Sequence, residues 1–232
     1  MKKLMGLSLF GVFAGLLLSG CSLMPVHDVS VSKDLRESPV TTIFIATPQT
    51  NPKMKRQQPD WDFQEMLPGN LATVQETITN ALADALKSKV TVLTPTNPMT
   101  DAWLKKIGVE LAKSRIPLNV DPLPSDQEAH EAVLIVGVRF YGTWDGQTKL
   151  QTIFTGSKQF RFGKTHWYHE CHLNMILVQP KTGHVLMAVE HREQIKLVGP
   201  GTDPRIGKDP AVLDKVLRDT VQVLADALPK KN

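Results

Sequence analysis

The densest run of side chains able to do chemistry is His166-Trp167-Tyr168-His169-Glu170-Cys171-His172, with three His and one Cys in seven residues. Those types at short range suggest zinc. The surroundings read as strand, where successive side chains alternate between faces. Trp167, His169, Cys171, Leu173, Met175 and Leu177 then share one face, and His166, Tyr168, Glu170, His172 and Asn174 the other. His166 and His172 share a face but stand about 20 Å apart at strand rise, too far for one metal. Cys171, among apolar neighbours, reads as a small buried hydrophobe. No metal and no cofactor is therefore expected.

Gly201 to Asp209 looks like a phosphate-binding loop, but five residues separate Gly201 from Gly207 and Asp209 follows Lys208 where a hydroxyl is needed. Pro200, Pro204 and Pro210 remove amide donors that would cradle the anion, so the run reads as a capped loop before a helix. The pairs Asp60/Asp62 and Glu190/Glu193 sit in no catalytic frame, and residues 190 and 193 of a strand face oppositely. No Gly-x-Ser-x-Gly, His-Glu-x-x-His or Ser-x-x-Lys frame occurs, and the expectation is a protein that is not an enzyme.

Two segments carry binding chemistry instead. In Ser157 to Lys164, the basic residues Lys158, Arg161 and Lys164 interleave with Phe160 and Phe162, a pattern suited to an anionic surface. The formal charge of +4 over 232 residues is too weak to argue for nucleic acid, which leaves anionic lipid, lipopolysaccharide, glycan or an acidic protein face. The bland alternative is a strand with both Phe inward. Residues 47–70 hold four Pro, with Lys53, Lys55 and Arg56 near Trp61 and Phe63. Arg56, Trp61 and Phe63 are typical interface anchors, or else aromatic pins holding a long loop on the body.

The N-terminus reads as a targeting signal. Lys2 and Lys3 precede an uncharged apolar run from Leu4 to Leu18, of roughly signal-peptide length and too short for a good membrane span. The run ends Leu18-Ser19-Gly20-Cys21, which resembles the bacterial lipobox. That resemblance implies a signal peptide at 1–20, removal at Cys21, and acyl chains on Cys21 that anchor the chain to a membrane. Ser22 after the Cys implies export to the outer membrane, with the protein facing the periplasm. With Cys21 acylated, Cys171 is the remaining Cys, and no intramolecular disulfide is possible.

Positioning follows from the elements. Residues 21–39 read as lipidated Cys and tether, and 40–228 as one domain. Strands are expected at 40–46, 90–94, 132–141 and 185–198, with a long extended stretch over 149–178 interrupted near Gly156 and Gly163. Helices are expected at 71–88 with Asn70 as N-cap, at 101–114, and from the Asp209-Pro210 pair onward, striped by Val212, Leu213, Val216, Leu217, Leu224 and Leu228. The order β-α-β-α-β-β-β-α predicts an α+β fold, mainly antiparallel, with amphipathic helices covering a sheet face.

Ala132-Val-Leu-Ile-Val-Gly137-Val-Arg-Phe and the hairpin Leu177-Val-Gln-Pro-Lys-Thr182-Gly183-His-Val-Leu-Met-Ala188, followed by a terminal amphipathic helix, resemble one domain superfamily. It is shared by the curli-secretion lipoprotein, the outer-membrane activators of penicillin-binding proteins and the N-terminal domain of the Tol translocation protein. Gln179, His184 and Met187 depart from its common residues. The resemblance implies a non-enzymatic adaptor with an envelope protein partner, serving secretion, peptidoglycan synthesis or outer-membrane assembly. Lipopolysaccharide-assembly lipoproteins have a comparable layout and imply a lipid-handling role. An envelope hydrolase of unrecognised type is the third expectation.

Overall fold

The computed structural model describes residues 26–50, 70–94, 101–113, 116–124, 131–144, 151–155, 158–162, 167–196 and 210–228. The elements in order are β1 (Val26–Val31), α1 (Lys33–Glu37), β2 (Thr42–Ile45), β3 (Gln49–Thr50), α2 (Leu71–Leu86), β4 (Thr91–Leu93), α3 (Ala102–Ala112), β5 (Ala132–Trp144), β6 (Gln151–Thr155), β7 (Lys158–Phe162), β8 (Trp167–Gln179), β9 (His184–Lys196) and α4 (Ala211–Ala227). The fold is α+β, as the element order predicts. Its seven-stranded sheet runs β1-β9-β8-β5-β2-β4, with β3 added on β5. The β1-β9, β9-β8 and β8-β5 pairs are antiparallel, whereas β2 pairs with both β5 and β4 in parallel. Among the described residues, no helix is long and apolar enough to cross a membrane.

The central strands are buried on both faces, which explains why Ala132 to Val138 is a nearly continuous apolar run rather than an alternating one. One face carries α2 and α4, whose stripes Val74, Ile78, Leu82 and Val212, Val216, Leu224 meet Leu134, Val136, Leu173 and Met175. Leu82, Val216 and Leu224 are at most 1% exposed, and each such side chain gains about 1.5–3 kcal/mol from burial. The second face is covered by α3 through Leu104, Ile107 and Leu111 over Val133, Ile135 and Ile176. Gly137 permits this approach: a Cβ there would lie 2.3 Å from the Ala112 backbone nitrogen.

The helix starts follow their capping chemistry. Asn70 Oδ1 accepts from the Thr73 amide at 2.9 Å, and Asp101 Oδ1 accepts from the Trp103 and Leu104 amides. At α4 the cap residue is Pro210 itself, with helical dihedrals and no side-chain cap. Asp209, the expected cap, lies outside the described residues.

Three stretches differ from the sequence reading. Residues 26–37, read as part of a tether, are folded: β1 pairs with β9 from Val26↔Arg192 to Val31↔Met187, and Leu35 of α1 is fully buried. The domain therefore begins by Val26 rather than at 40. Charged and polar residues in Val-His-Asp-Val-Ser-Val masked an edge strand, which needs only one hydrogen-bonded side and leaves Val29 exposed. The start of the 47–70 segment is also structured, since Gln49 and Thr50 pair with Gly137 and Val138. The extended stretch divides into β6, β7 and all of β8 but its last residue, with β6 and β7 forming a separate two-stranded sheet.

The sheet has two unlike ends. At one, the four-residue turn Pro180–Gly183 joins β8 to β9, with Gly183 at φ 70°. At the other, the β5-β8 ladder stops at Trp144↔Trp167, and the β6-β7 hairpin is inserted between those two residues. The chain also leaves β3 and β9 toward this second end. It re-enters through α2 and α4, which run back toward the first; Gln75 near the α2 start bonds Pro48 O, and Lys89 past its end bonds Leu228 O.

Candidate functional site

Of the residues expected to bind, the described residues include Lys158 and Arg161, in the hairpin inserted at the second end. Lys158 and Arg161 lie on β7, in the hairpin whose ladder runs from Gln151↔Phe162 to Thr155↔Lys158. Cys21, Arg56, Trp61, Phe63 and Lys164 lie outside the described residues, as does the Gly201 to Asp209 loop.

The His-rich segment is a strand, and its faces divide as alternation requires. Cys171 packs on the α2–α4 face with Leu173 and Met175. Burial, then the neighbouring Glu170 charge, pushes its thiol well above the ordinary value, so it stays a neutral thiol. Glu170, His172 and Asn174 are buried on the opposite face. Arg139 Nη2 donates to His172 Nδ1 at 2.9 Å, because a guanidinium can only donate. The proton of the neutral ring therefore sits on Nε2, which donates to Glu170 Oε1. Arg192 Nε adds an ion pair to that oxygen at 3.6 Å. Burial holds the imidazole below its ordinary 6.5, with the Arg139 charge acting in the same direction and the Glu170 hydrogen bond opposing. Asn174 Nδ2 donates to Leu111 O at 2.8 Å and fastens the last turn of α3 to β8.

A second cluster lies under α4. His191 and Glu193, alternate residues of β9, are buried together. Thr220 Oγ1 donates to Val216 O, so its oxygen accepts a hydrogen bond from His191 Nδ1–H, 2.8 Å away. This turns Nε2 toward Glu193 Oε1 at 3.5 Å. Asp219 completes a group whose possible ligand atoms all lie within 4.8 Å of one another. Lys215 Nζ already bonds the other Glu193 oxygen, which supplies a cation for the buried carboxylate. Sequence inspection missed this group because it paired Glu193 with Glu190. The usable signal was His191-x-Glu193 on one strand face, opposite Lys215, Asp219 and Thr220 on one side of a helix.

A groove of about 300 Å³ runs between α3 and the segment after it, lined by Trp103, Lys106, Ile107, Ile116 and Val120. Trp103 Nε1 donates to Asp121 O at 2.7 Å, and Lys106 pairs with Asp121 at 3.2 Å.

No family model and no curated protein matches the chain. Among solved structures, it is similar to a neuraminyllactose-binding hemagglutinin homolog from Helicobacter pylori, at 11% identity and TM-score 0.43, over 82% of this chain and 83% of that one. It is also similar to the hypothetical protein CT253 from Chlamydia trachomatis, at 12% identity and TM-score 0.38, over 81% and 98%. A third is the PelC dodecamer from Paraburkholderia phytofirmans, at 12% identity and TM-score 0.34, over 90% and 100%.

Proposed function

We propose that the protein is a lipid-anchored binding or scaffolding lipoprotein of the outer membrane. It faces the periplasm, works without catalysis, and serves as an accessory to an envelope machine for secretion, peptidoglycan synthesis or outer-membrane assembly. The observation that carries this reading is the sequence Leu18-Ser19-Gly20-Cys21 behind Lys2, Lys3 and an uncharged apolar run. The hairpin Leu177 to Ala188 adds the resemblance to the superfamily of the curli-secretion lipoprotein, the penicillin-binding-protein activators and the Tol N-terminal domain. Mass spectrometry of the mature N-terminus should find a diacylglyceryl-modified Cys21, and Cys21→Ser should abolish processing. A mature chain beginning at any other residue overturns the anchor. Crosslinking in intact cells should yield a stoichiometric envelope partner, with capture weakened by Trp61→Ala and Arg56→Glu.

The basic and aromatic residues of β7 favour a second reading, a lipid- or lipopolysaccharide-handling lipoprotein. Lipopolysaccharide binding should then fall when Lys158, Arg161 and Lys164 are reversed in charge.

A further inference from the structure

We infer that the domain rests on the bilayer in one orientation, with the Trp144↔Trp167 end of its sheet down and the β6-β7 hairpin against anionic phospholipid headgroups. This rests on acylation at Cys21. Four residues lie between Cys21 and Val26, so the five chain steps reach at most about 18 Å when fully extended. The anchor therefore holds the start of β1 close to the membrane surface.

Which end of the sheet that start occupies follows from the register. Val26 pairs with Arg192, and β9 runs on from Arg192 to Lys196, which pairs with Tyr168 beside the last ladder pair. Arg192 is thus about 13 Å from that end and about 26 Å from His184 at the turn end. Because β1 is antiparallel to β9, its first residue, Val26, is the β1 residue nearest the Trp144↔Trp167 end. The hairpin is inserted at that same end.

Its composition suits the position. The chain has 23 acidic residues in 232, yet none falls between Asp145 and Glu170, a stretch that carries Lys149, Lys158, Arg161 and Lys164. The same stretch holds Phe154, Phe160, Phe162, Trp167 and Tyr168. Unopposed basic residues beside an anionic leaflet are attracted to it, and aromatic rings partition to the headgroup level. The Pro180–Gly183 turn, with Lys181 exposed, points the other way, to the periplasm.

The test uses the full mature lipoprotein in vesicles of phosphatidylethanolamine and phosphatidylglycerol at 3:1, doped with a headgroup-level quencher. A fluorophore is attached at Gln159→Cys in one sample and at Lys181→Cys in another; buried Cys171 stays unlabelled. Quenching at 159 should exceed that at 181 at least twofold, and the double variant Lys158→Glu, Arg161→Glu should abolish the difference while the protein remains with the vesicles. Equal quenching, or stronger quenching at 181, overturns the orientation and assigns the basic hairpin to an acidic protein surface. N-terminal mass measured on the same sample separates the two layers. An unmodified Cys21 overturns the anchor, whereas a lipidated Cys21 with equal quenching overturns the orientation alone.

Discussion

The two ends of the sheet are built on different terms. At the turn end, connections are short and tied to one another. Gly183 N–H donates to Gln179 O, Val120 N–H to Gly183 O and Leu123 N–H to Pro180 O. Asp34 of α1 pairs with His184, and Glu131 Oε2 accepts from the Thr41 and Thr42 amides where β2 begins. At the other end the β5-β8 ladder stops, the hairpin pairs with itself, and long segments depart from Thr50 and Lys196. Backbone groups satisfied by neighbours fix the turn end; the sequence at the other, from Gln147 to His169, is basic and aromatic with no acidic residue. If the proposed binding role holds, stability and recognition are separated along the strand direction.

That separation can be broken experimentally, and the largest effect belongs to the turn end. Leu35→Ala should destabilise by about 2–5 kcal/mol in urea unfolding, as for a buried leucine in a close-packed site; a change under about 0.5 kcal/mol would mean that 26–37 is a tether after all. Gly183→Ala should cost about 1–3 kcal/mol, through the φ of +70° and a Cβ placed 1.9 Å from Val120 O. Lys215→Ala, toward the other end, leaves the buried Glu193 carboxylate without its ammonium and should cost about 1–3 kcal/mol, partly recovered by Glu193→Gln in the same chain.

His172 sharpens the comparison through pH. Its folded-state value is lowered, so between that value and 6.5 the unfolded chain binds the proton that the folded chain refuses. Its contribution leaves stability intact above about pH 6.5 and removes it as pH falls below. His172→Gln should flatten that limb of a melting-temperature profile. The smallest effect is expected at the hairpin: Lys158→Glu with Arg161→Glu should leave the melting temperature within a few degrees while changing surface binding. A collapse in stability would make the hairpin structural.

Periodicity made the helices legible. Val74, Ile78 and Leu82 and the stripe from Val212 to Leu224 are buried where spacing put them, and the strands expected at 40–46, 132–141 and 185–198, with the last part of the 149–178 stretch, correspond to β2, β5, β9 and β8, which lie side by side in the sheet. Alternation along 167–177 also sorted Cys171 from His172 correctly. What escaped had a physical cause in each case. β1 is a polar edge strand, so its burial pattern is too weak to read, and β3 is two residues after Pro48. The His191 cluster joins a strand to a helix that follows it in the chain, a contact that local spacing does not encode. The placement of α3 on the second sheet face depends on Gly137, whose missing side chain is visible in the sequence but whose neighbour is not.

The pairing of β1 with β9 carries a kinetic consequence. The first strand of the chain finds its hydrogen-bond partners only between Met187 and Arg192, so nearly the whole polypeptide must be present before it can dock. The β8-β9 hairpin, closed by a four-residue turn, can form early, whereas β1 must close a very long loop, a step that is entropically slow. Docking of β1 onto β9 is then a late event, reached once the rest of the sheet is in place.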